Sequence, residues 1–220
     1  MWLVIRRAID YFDTIPPLIL LILAVATLVQ LKRNYVIYYI ACQFVFNGYA
    51  NLLNELEIDN LYVYTLNFTW SFFILSLYFI DVYKSPVLAR LVLTIVVLFQ
   101  VISLFHVQEA TTEITFNSVS FGIISLLVTG YSLIYYTKQL SGQPKENILG
   151  VRDFWYVNGI FTYYASNFFI FLTYNMLVSK HYSNISIIWR VHNFVFLAMC
   201  IYIFIGLRCK QSPEKLKSSS

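Results

Sequence analysis

Long runs of apolar residues dominate the chain and recur seven times. They cover residues 16–31, 35–53, 61–80, 87–105, 116–136, 154–178 and 185–207. A helix needs about 20 mostly apolar residues to cross the hydrocarbon core of a bilayer. The runs are too long and too uniformly apolar for barrel strands, in which polar and apolar residues alternate. The pattern therefore predicts an all-α polytopic membrane protein, a bundle of seven transmembrane helices.

The composition indicates that a lipid bilayer is the solvent of this chain. Its 220 residues are 59% hydrophobic and only 12% charged, and the mean hydropathy is +0.68. A soluble domain of this size cannot bury so much apolar surface. The composition therefore argues against a soluble enzyme, a disulfide scaffold and a nucleic-acid-binding protein.

The basic residues predict the orientation of the bundle. Most of the 15 Lys and Arg residues flank alternate ends of the spans, among them Lys32, Arg33, Lys84, Lys138 and Arg208. Lys and Arg accumulate on the cytoplasmic side of membranes. We therefore predict an outside N-terminus and a cytoplasmic C-terminus in a bacterial inner membrane. Topology explains most of the net charge of +4, so no nucleic-acid partner is expected.

The two ends of the chain differ from the spans. Residues 1–13 place apolar side chains on one helical face and charged ones, including Asp10 and Asp13, on another, which is typical of an interfacial helix on the outer leaflet. A cleaved signal peptide ending near Ala24-Val25-Ala26 is the alternative. We predict that residues 14–207 form the transmembrane domain and 208–220 a short polar cytoplasmic tail.

Polar side chains inside the second span form a continuous stripe. Gln43, Asn47, Asn51 and Glu55 recur every four residues, so they share one helix face. Polar groups in hydrocarbon are costly unless they are paired, and they often mark functional sites. The stripe therefore predicts a polar face that points into the bundle.

Three other spans carry polar groups at a comparable depth in the outer half of the membrane. They are Asn67 in the third span, Asn167 in the sixth, and Arg190, His192 and Asn193 in the seventh. A buried Arg190 needs an anion or several acceptors, and Glu55 is the best counter-ion in the sequence. We predict a site for a small polar or anionic ligand formed by Asn47, Asn51, Glu55, Asn67, Asn167, Arg190, His192 and Asn193.

Two other interpretations of these polar residues stay open. The groups can hydrogen-bond one another and fix helix packing, as in a structural subunit without a ligand. Residues 46–50 also resemble 161–165, and 66–68 resemble 192–194, as expected for a small-solute transporter built from two parallel three-helix repeats. The known catalytic constellations of membrane enzymes are not evident: the seventh span has no Lys for a retinal Schiff base and the three His are far apart. We therefore predict no enzyme, no cofactor and no metal site.

Three aromatic-rich segments carry a resemblance to a known family. They are Leu61–Phe79, Asp153–Asn175 and Trp189–Asn193. These segments resemble bacterial seven-helix membrane proteins that are common in the Bacteroidetes lineage and often encoded near sensor histidine kinases. The resemblance implies a seven-helix fold and a signalling link to such a kinase, but no activity and no residue roles. We therefore expect a receptor-like or accessory protein that signals through a membrane or cytoplasmic partner; the sequence assigns no oligomeric state.

Overall fold

The computed structural model describes residues 11–26, 34–109, 118–141, 148–179 and 185–209. Within these ranges the chain is helical and has no β-strand, which confirms the all-α prediction. The helices are α1 (Ile15–Ala26), α2 (Tyr35–Glu55), α3 (Leu61–Tyr83), α4 (Pro86–Glu109), α5 (Ser118–Ser141), α6 (Arg152–Ser179) and α7 (Ile185–Arg208), and a 3-10 turn at Ile148–Gly150 precedes α6. Each predicted apolar run overlaps one of these helices, and residues 27–31 of the first run and 116–117 of the fifth lie outside the described residues.

Local sequence signals explain where several helices begin and end. Pro16 and Pro17 lie in the first turn of α1 and Pro86 begins α4, positions where a missing N–H costs no helical hydrogen bond. At the start of α2 the side chain of Asn34 accepts a hydrogen bond from the Ile37 N–H at 3.4 Å, as an N-cap does. Lys84, with φ of 49°, ends α3 in the left-handed conformation, so the chain reverses directly into α4.

Four helices are long and apolar enough to cross a bilayer. They are α2, α3, α5 and the Ile187–Arg208 part of α7, as judged by length and composition over the described ranges. The apolar segments Ile15–Ala26 and Pro86–Ile102 are shorter. These features indicate a helical membrane protein with four candidate membrane-spanning helices in the described ranges.

The helices pack in chain order and the bundle then closes on itself. Each of the pairs α1–α2, α2–α3, α3–α4, α5–α6 and α6–α7 is in contact, and α1 also packs against α7 and α3 against α5. Helix α4 packs mainly on α3, so it lies at the periphery. Its outward side chains are apolar, for example Val87 at 70% and Leu98 at 57% exposure. A lipid bilayer would cover such a surface.

Two glycines let α6 and α7 approach closely. A Cβ on Gly206 would lie 2.7 Å from the ring of Tyr156, and one on Gly159 would lie 3.0 Å from the carbonyl oxygen of Met199. The distance at Gly206 is shorter than real Cβ contacts and the distance at Gly159 is tighter than most, so a side chain at either position would force its neighbours to shift. The two helices that carry Asn167 and His192 are thereby held in a fixed register.

Candidate functional site

The polar stripe of α2 contacts α3 inside the bundle through Gln43 and Asn47. Gln43 forms a closed ring of hydrogen bonds with two side chains of α3. Gln43 donates to the Oγ of Ser71 at 2.7 Å, Ser71 donates to Asn67 Oδ1 at 3.2 Å, and Asn67 donates back to Gln43 Oε1 at 3.2 Å. The Nδ2 of Asn67 also lies 2.8 Å from Asn47 Oδ1. All four side chains are buried. The ring therefore satisfies polar groups that would otherwise be costly inside the bundle.

The turn at residues 11–14, which we call the N-terminal strap, covers the end of this stripe. Asn47 donates from Nδ2 to the backbone carbonyl of Asp13 at 3.1 Å. Asn51 donates from Nδ2 to Asp13 Oδ1 at 3.1 Å and to Thr14 Oγ1 at 2.8 Å. The Thr14 hydroxyl in turn lies 3.0 Å from Asp13 Oδ1. Two predicted ligand residues, Asn47 and Asn51, thus bind the chain's own strap.

Two further contacts hold the other part of the strap. The Tyr11 hydroxyl donates to Glu55 Oε1 at 3.0 Å, and the rings of Phe12 and Phe194 meet edge to face with centroids 5.6 Å apart. The strap therefore touches both α2 and α7. Glu55, which the sequence predicts as the counter-ion of Arg190, is exposed and accepts this hydrogen bond from the strap.

Asp13 differs from its sequence-based expectation. The pattern places it on the charged face of an interfacial helix, but its side chain is only 3% exposed. Its carboxylate interacts electrostatically with Tyr64 of α3 and Tyr163 of α6. Burial is tolerated because Asn51 and Thr14 hydrogen-bond the carboxylate. Residues 1–10, which make up most of the predicted interfacial segment, lie outside the described residues.

A second polar cluster joins α6 and α7 around His192. Its Nδ1 lies 2.8 Å from Asn167 Oδ1, and its Nε2 lies 3.4 Å from the Tyr163 hydroxyl. Because an amide oxygen only accepts, Nδ1 carries the proton and Nε2 accepts from Tyr163. All three side chains are buried. A neutral imidazole therefore satisfies both of its neighbours.

Trp189 links the α6–α7 cluster to helix α3. Its ring stacks on His192 with centroids 4.9 Å apart, and Tyr64 of α3 meets it edge to face at 5.2 Å. Trp189 therefore joins the α6–α7 cluster to α3 through Tyr64, and Asp13 interacts with both Tyr64 and Tyr163. This places polar groups from four helices in one region at the strap end of the bundle.

The predicted site residues distribute over this region as follows. Asn47, Asn51 and Asn67 belong to the first cluster, Asn167 and His192 to the second, and Glu55 lies at the edge beside Tyr11. On α7, Asn193 is fully buried and Arg190 is half-buried.

Sequence reasoning did not assign four participants to the site. Gln43 and Ser71 continue the same four-residue spacing, so the signal that revealed Asn47 and Asn67 was present for them as well. Tyr163 was adjacent to a polar face but its hydroxyl partner depends on α7. The helical spacing of residues 1–13 places Asp13 on a solvent-facing side, whereas the structure places it in a turn with its side chain buried.

Another buried polar group occupies the opposite end of the bundle. The Tyr78 hydroxyl donates to Asp153 Oδ1 at 3.4 Å, and Asp153 is buried. Basic side chains surround this end: Lys138 donates to the carbonyl of Tyr83 at 2.6 Å, and Arg152 reaches the carbonyl of Cys209 at 3.5 Å. Basic side chains therefore lie at this end, whereas the carboxylates of Asp13 and Glu55 lie at the strap end.

The strap-end site offers neutral hydrogen-bond donors and acceptors together with aromatic faces. In the part of the chain that the structure describes, no three His, Cys, Asp or Glu side chains come together as a metal site would require. Amide N–H groups such as those of Asn47 and Asn51 suit polar or anionic ligand groups. The chain matches no family model, no curated protein and no solved structure.

Proposed function

We propose that the protein is a receptor-like or accessory integral membrane protein that binds a small polar or anionic ligand at the strap end of its bundle. The observation that carries this proposal is the convergence there of buried polar side chains from α2, α3, α6 and α7 beneath the strap. A ligand that binds these groups competes with contacts that the strap makes. Binding therefore shifts the bundle between a strapped and an open state.

The proposed topology has seven spans, an outside N-terminus and a cytoplasmic C-terminus in a bacterial inner membrane. The charge distribution supports it: Glu57 and Asp59 are exposed at the strap end, whereas Lys84, Arg90 and Arg208 are exposed at the opposite end. Cationic side chains mark the cytoplasmic side. The ligand site then faces outwards.

Helix α7 is the element that carries the signal across the bundle. It bears Trp189 and His192 at the ligand site, and its far end is packed closely against α6 through Gly206 and Tyr156. Since packed helices shift as rigid units, a change at His192 moves the cytoplasmic end of α7. The partner that reads this movement is a membrane or cytoplasmic signalling protein such as a histidine kinase.

The experiment is thermal unfolding of the purified protein in detergent, with and without a panel of small polar and anionic metabolites. A ligand present at about 100 times its Kd stabilises the folded state by about 2.7 kcal/mol, which raises the Tm by a few degrees. The shift should disappear in Asn167→Leu and persist in Asn54→Ala, which changes an exposed residue at the same end. If no compound stabilises the protein, the polar clusters serve packing alone and the protein is a structural subunit.

A small-solute transporter is the second candidate. The helices α1 to α3 pack consecutively, as do α5 to α7, and α4 lies outside both groups. This arrangement suits two three-helix halves joined by a linking helix. Uptake of the stabilising compound into proteoliposomes separates the two functions, because a receptor binds its ligand without net flux.

A further inference from the structure

The strap is bound at the site as a ligand would be. Asp13 presents its carboxylate to Asn51 and its backbone carbonyl to Asn47, with donor–acceptor distances of 3.1 Å in both cases. The Asp13 side chain is nearly as buried as the core around it. No helical periodicity dictates these contacts, because the strap is a turn.

The donors around Asp13 are suited to a carboxylate. Its Oδ1 accepts hydrogen bonds from the amide of Asn51 on α2, which stays when the strap lifts, and from the hydroxyl of Thr14, which belongs to the strap and leaves with it. A buried carboxylate persists only where such donors are already in place. The aspartate side chain beyond Cα is an acetate group, so the pocket it fills is matched to a small carboxylate.

The contacts that retain the strap are of two kinds, buried ones at Asp13 and exposed ones at Tyr11. One of them, the hydrogen bond between Tyr11 and Glu55, is exposed to the surroundings. Exposed polar pairs contribute little to stability, so lifting of the strap depends mainly on the buried contacts of Asp13. The amides of Asn47 and Asn51 stay on α2 when the strap leaves, because α2 is held by α3.

We infer that Asp13 is an internal occupant of a carboxylate-binding site, and that the ligand of this protein is a small organic carboxylate that replaces Asp13 when the strap lifts. The inference rests on the proposed function and names its ligand class. The strap then has a regulatory role, because it competes with the ligand for the site. The apparent affinity equals the intrinsic affinity multiplied by the fraction of time that the strap leaves the site open.

The test uses the full chain and acetate, with acetamide as an uncharged analogue of the same size. Thermal unfolding is measured for the wild type, for Asp13→Ala, and for Asp59→Ala, which removes an exposed carboxylate. Asp13→Ala should unfold at a lower temperature than the wild type, and acetate should raise its Tm again. The acetate concentration needed should be roughly tenfold lower than the concentration that raises the Tm of the wild type. Acetamide should restore nothing, and neither compound should act on Asp59→Ala differently from the wild type. The double variant Asp13→Ala, Asn51→Leu should not respond to acetate.

A second measurement covers the case in which Asp13→Ala does not fold. In a background with the three native cysteines replaced by alanine, Phe12→Cys gives up the ring contact with Phe194 but keeps Asp13, Asn47 and Asn51. Its rate of reaction with a water-soluble maleimide, compared with and without added carboxylate, reports strap lifting. Acetate and succinate should raise this rate several-fold, and their amides should not. Equal effects of acetate and acetamide, or rates and Tm values that no carboxylate changes, overturn the inference. If the metabolite panel stabilises the wild type through an uncharged compound, the proposed function stands while the carboxylate assignment fails.

Discussion

The amide of Asn51 and the carboxylate of Asp13 are joined by a hydrogen bond of 3.1 Å across 38 residues of sequence. This bond fastens a turn to the polar stripe of α2. A charged side chain is thereby buried in the bundle. The stripe therefore both packs against α3 and holds the strap, and mutations can distinguish the side chains that serve each role.

The closed ring between α2 and α3 should behave as a packing element. Asn67→Leu removes partners from Gln43, Asn47 and Ser71 at once. Interhelical hydrogen bonds in membrane proteins contribute about 0.6 to 1.7 kcal/mol each, so we expect a loss of about 1 to 3 kcal/mol in the free energy of unfolding. Denaturant titration in mixed micelles measures it. Leu66→Ala, at a neighbouring exposed position, is the matched control and should change little; equal losses in both would argue against the ring.

The cluster around His192 should lose a single hydrogen bond in Tyr163→Phe. This change removes the hydroxyl that donates to His192 Nε2 at 3.4 Å and keeps the ring that packs on Phe196. A neutral hydrogen bond contributes about 1 kcal/mol. We expect Tyr163→Phe to lower the free energy of unfolding by that amount. In a His192→Leu background the same change should have no effect. A loss that is independent of the residue at position 192 would show that Tyr163 has another partner.

The helix positions and the inward direction of the polar faces could be predicted from the sequence. Apolar runs of span length define helices, and the spacing of Asn47, Asn51 and Glu55 defines a face whatever the partners are. The partners could not be predicted, since they depend on the rotation and depth of each helix against its neighbours. Thus the sequence favours Arg190 as the partner of Glu55, whereas the structure gives Glu55 a hydrogen bond from Tyr11.

The close approach of α6 and α7 predicts a steric effect of a single methyl group. Gly206→Ala would place Cβ 2.7 Å from the buried ring of Tyr156, and overpacking of this kind costs about 1 to 3 kcal/mol. The Tm of Gly206→Ala should therefore fall. Gly122→Ala, where the new Cβ has nothing within 4 Å, should keep or slightly raise the Tm. Equal Tm values for the two variants would contradict the packing described for α6 and α7.

The proposed orientation predicts which loops are accessible from outside the cell. In a background with the three native cysteines replaced by alanine, Glu57→Cys should react with a membrane-impermeant maleimide on intact spheroplasts. Lys84→Cys should react only after lysis, because the basic end faces the cytoplasm. Both positions are exposed, so burial does not limit either reaction. The reverse pattern would invert the topology and place the ligand site on the cytoplasmic side.

Disulfide formation between the strap and α2 tests the central claim, that the N-terminal strap lies on the polar stripe, most directly. The Cγ2 of Thr14 lies 3.8 Å from the position that a Cβ on Gly48 would take, so the double variant Thr14→Cys, Gly48→Cys brings two thiols within reach of a disulfide. In membranes of the same cysteine-free background, mild oxidation should join this pair rapidly, and acetate should slow the reaction. The pair Thr14→Cys, Tyr49→Cys, whose second position lies on the neighbouring exposed face, should stay unjoined. If the second pair joins as fast as the first, or the first does not join at all, the strap does not lie where this account places it.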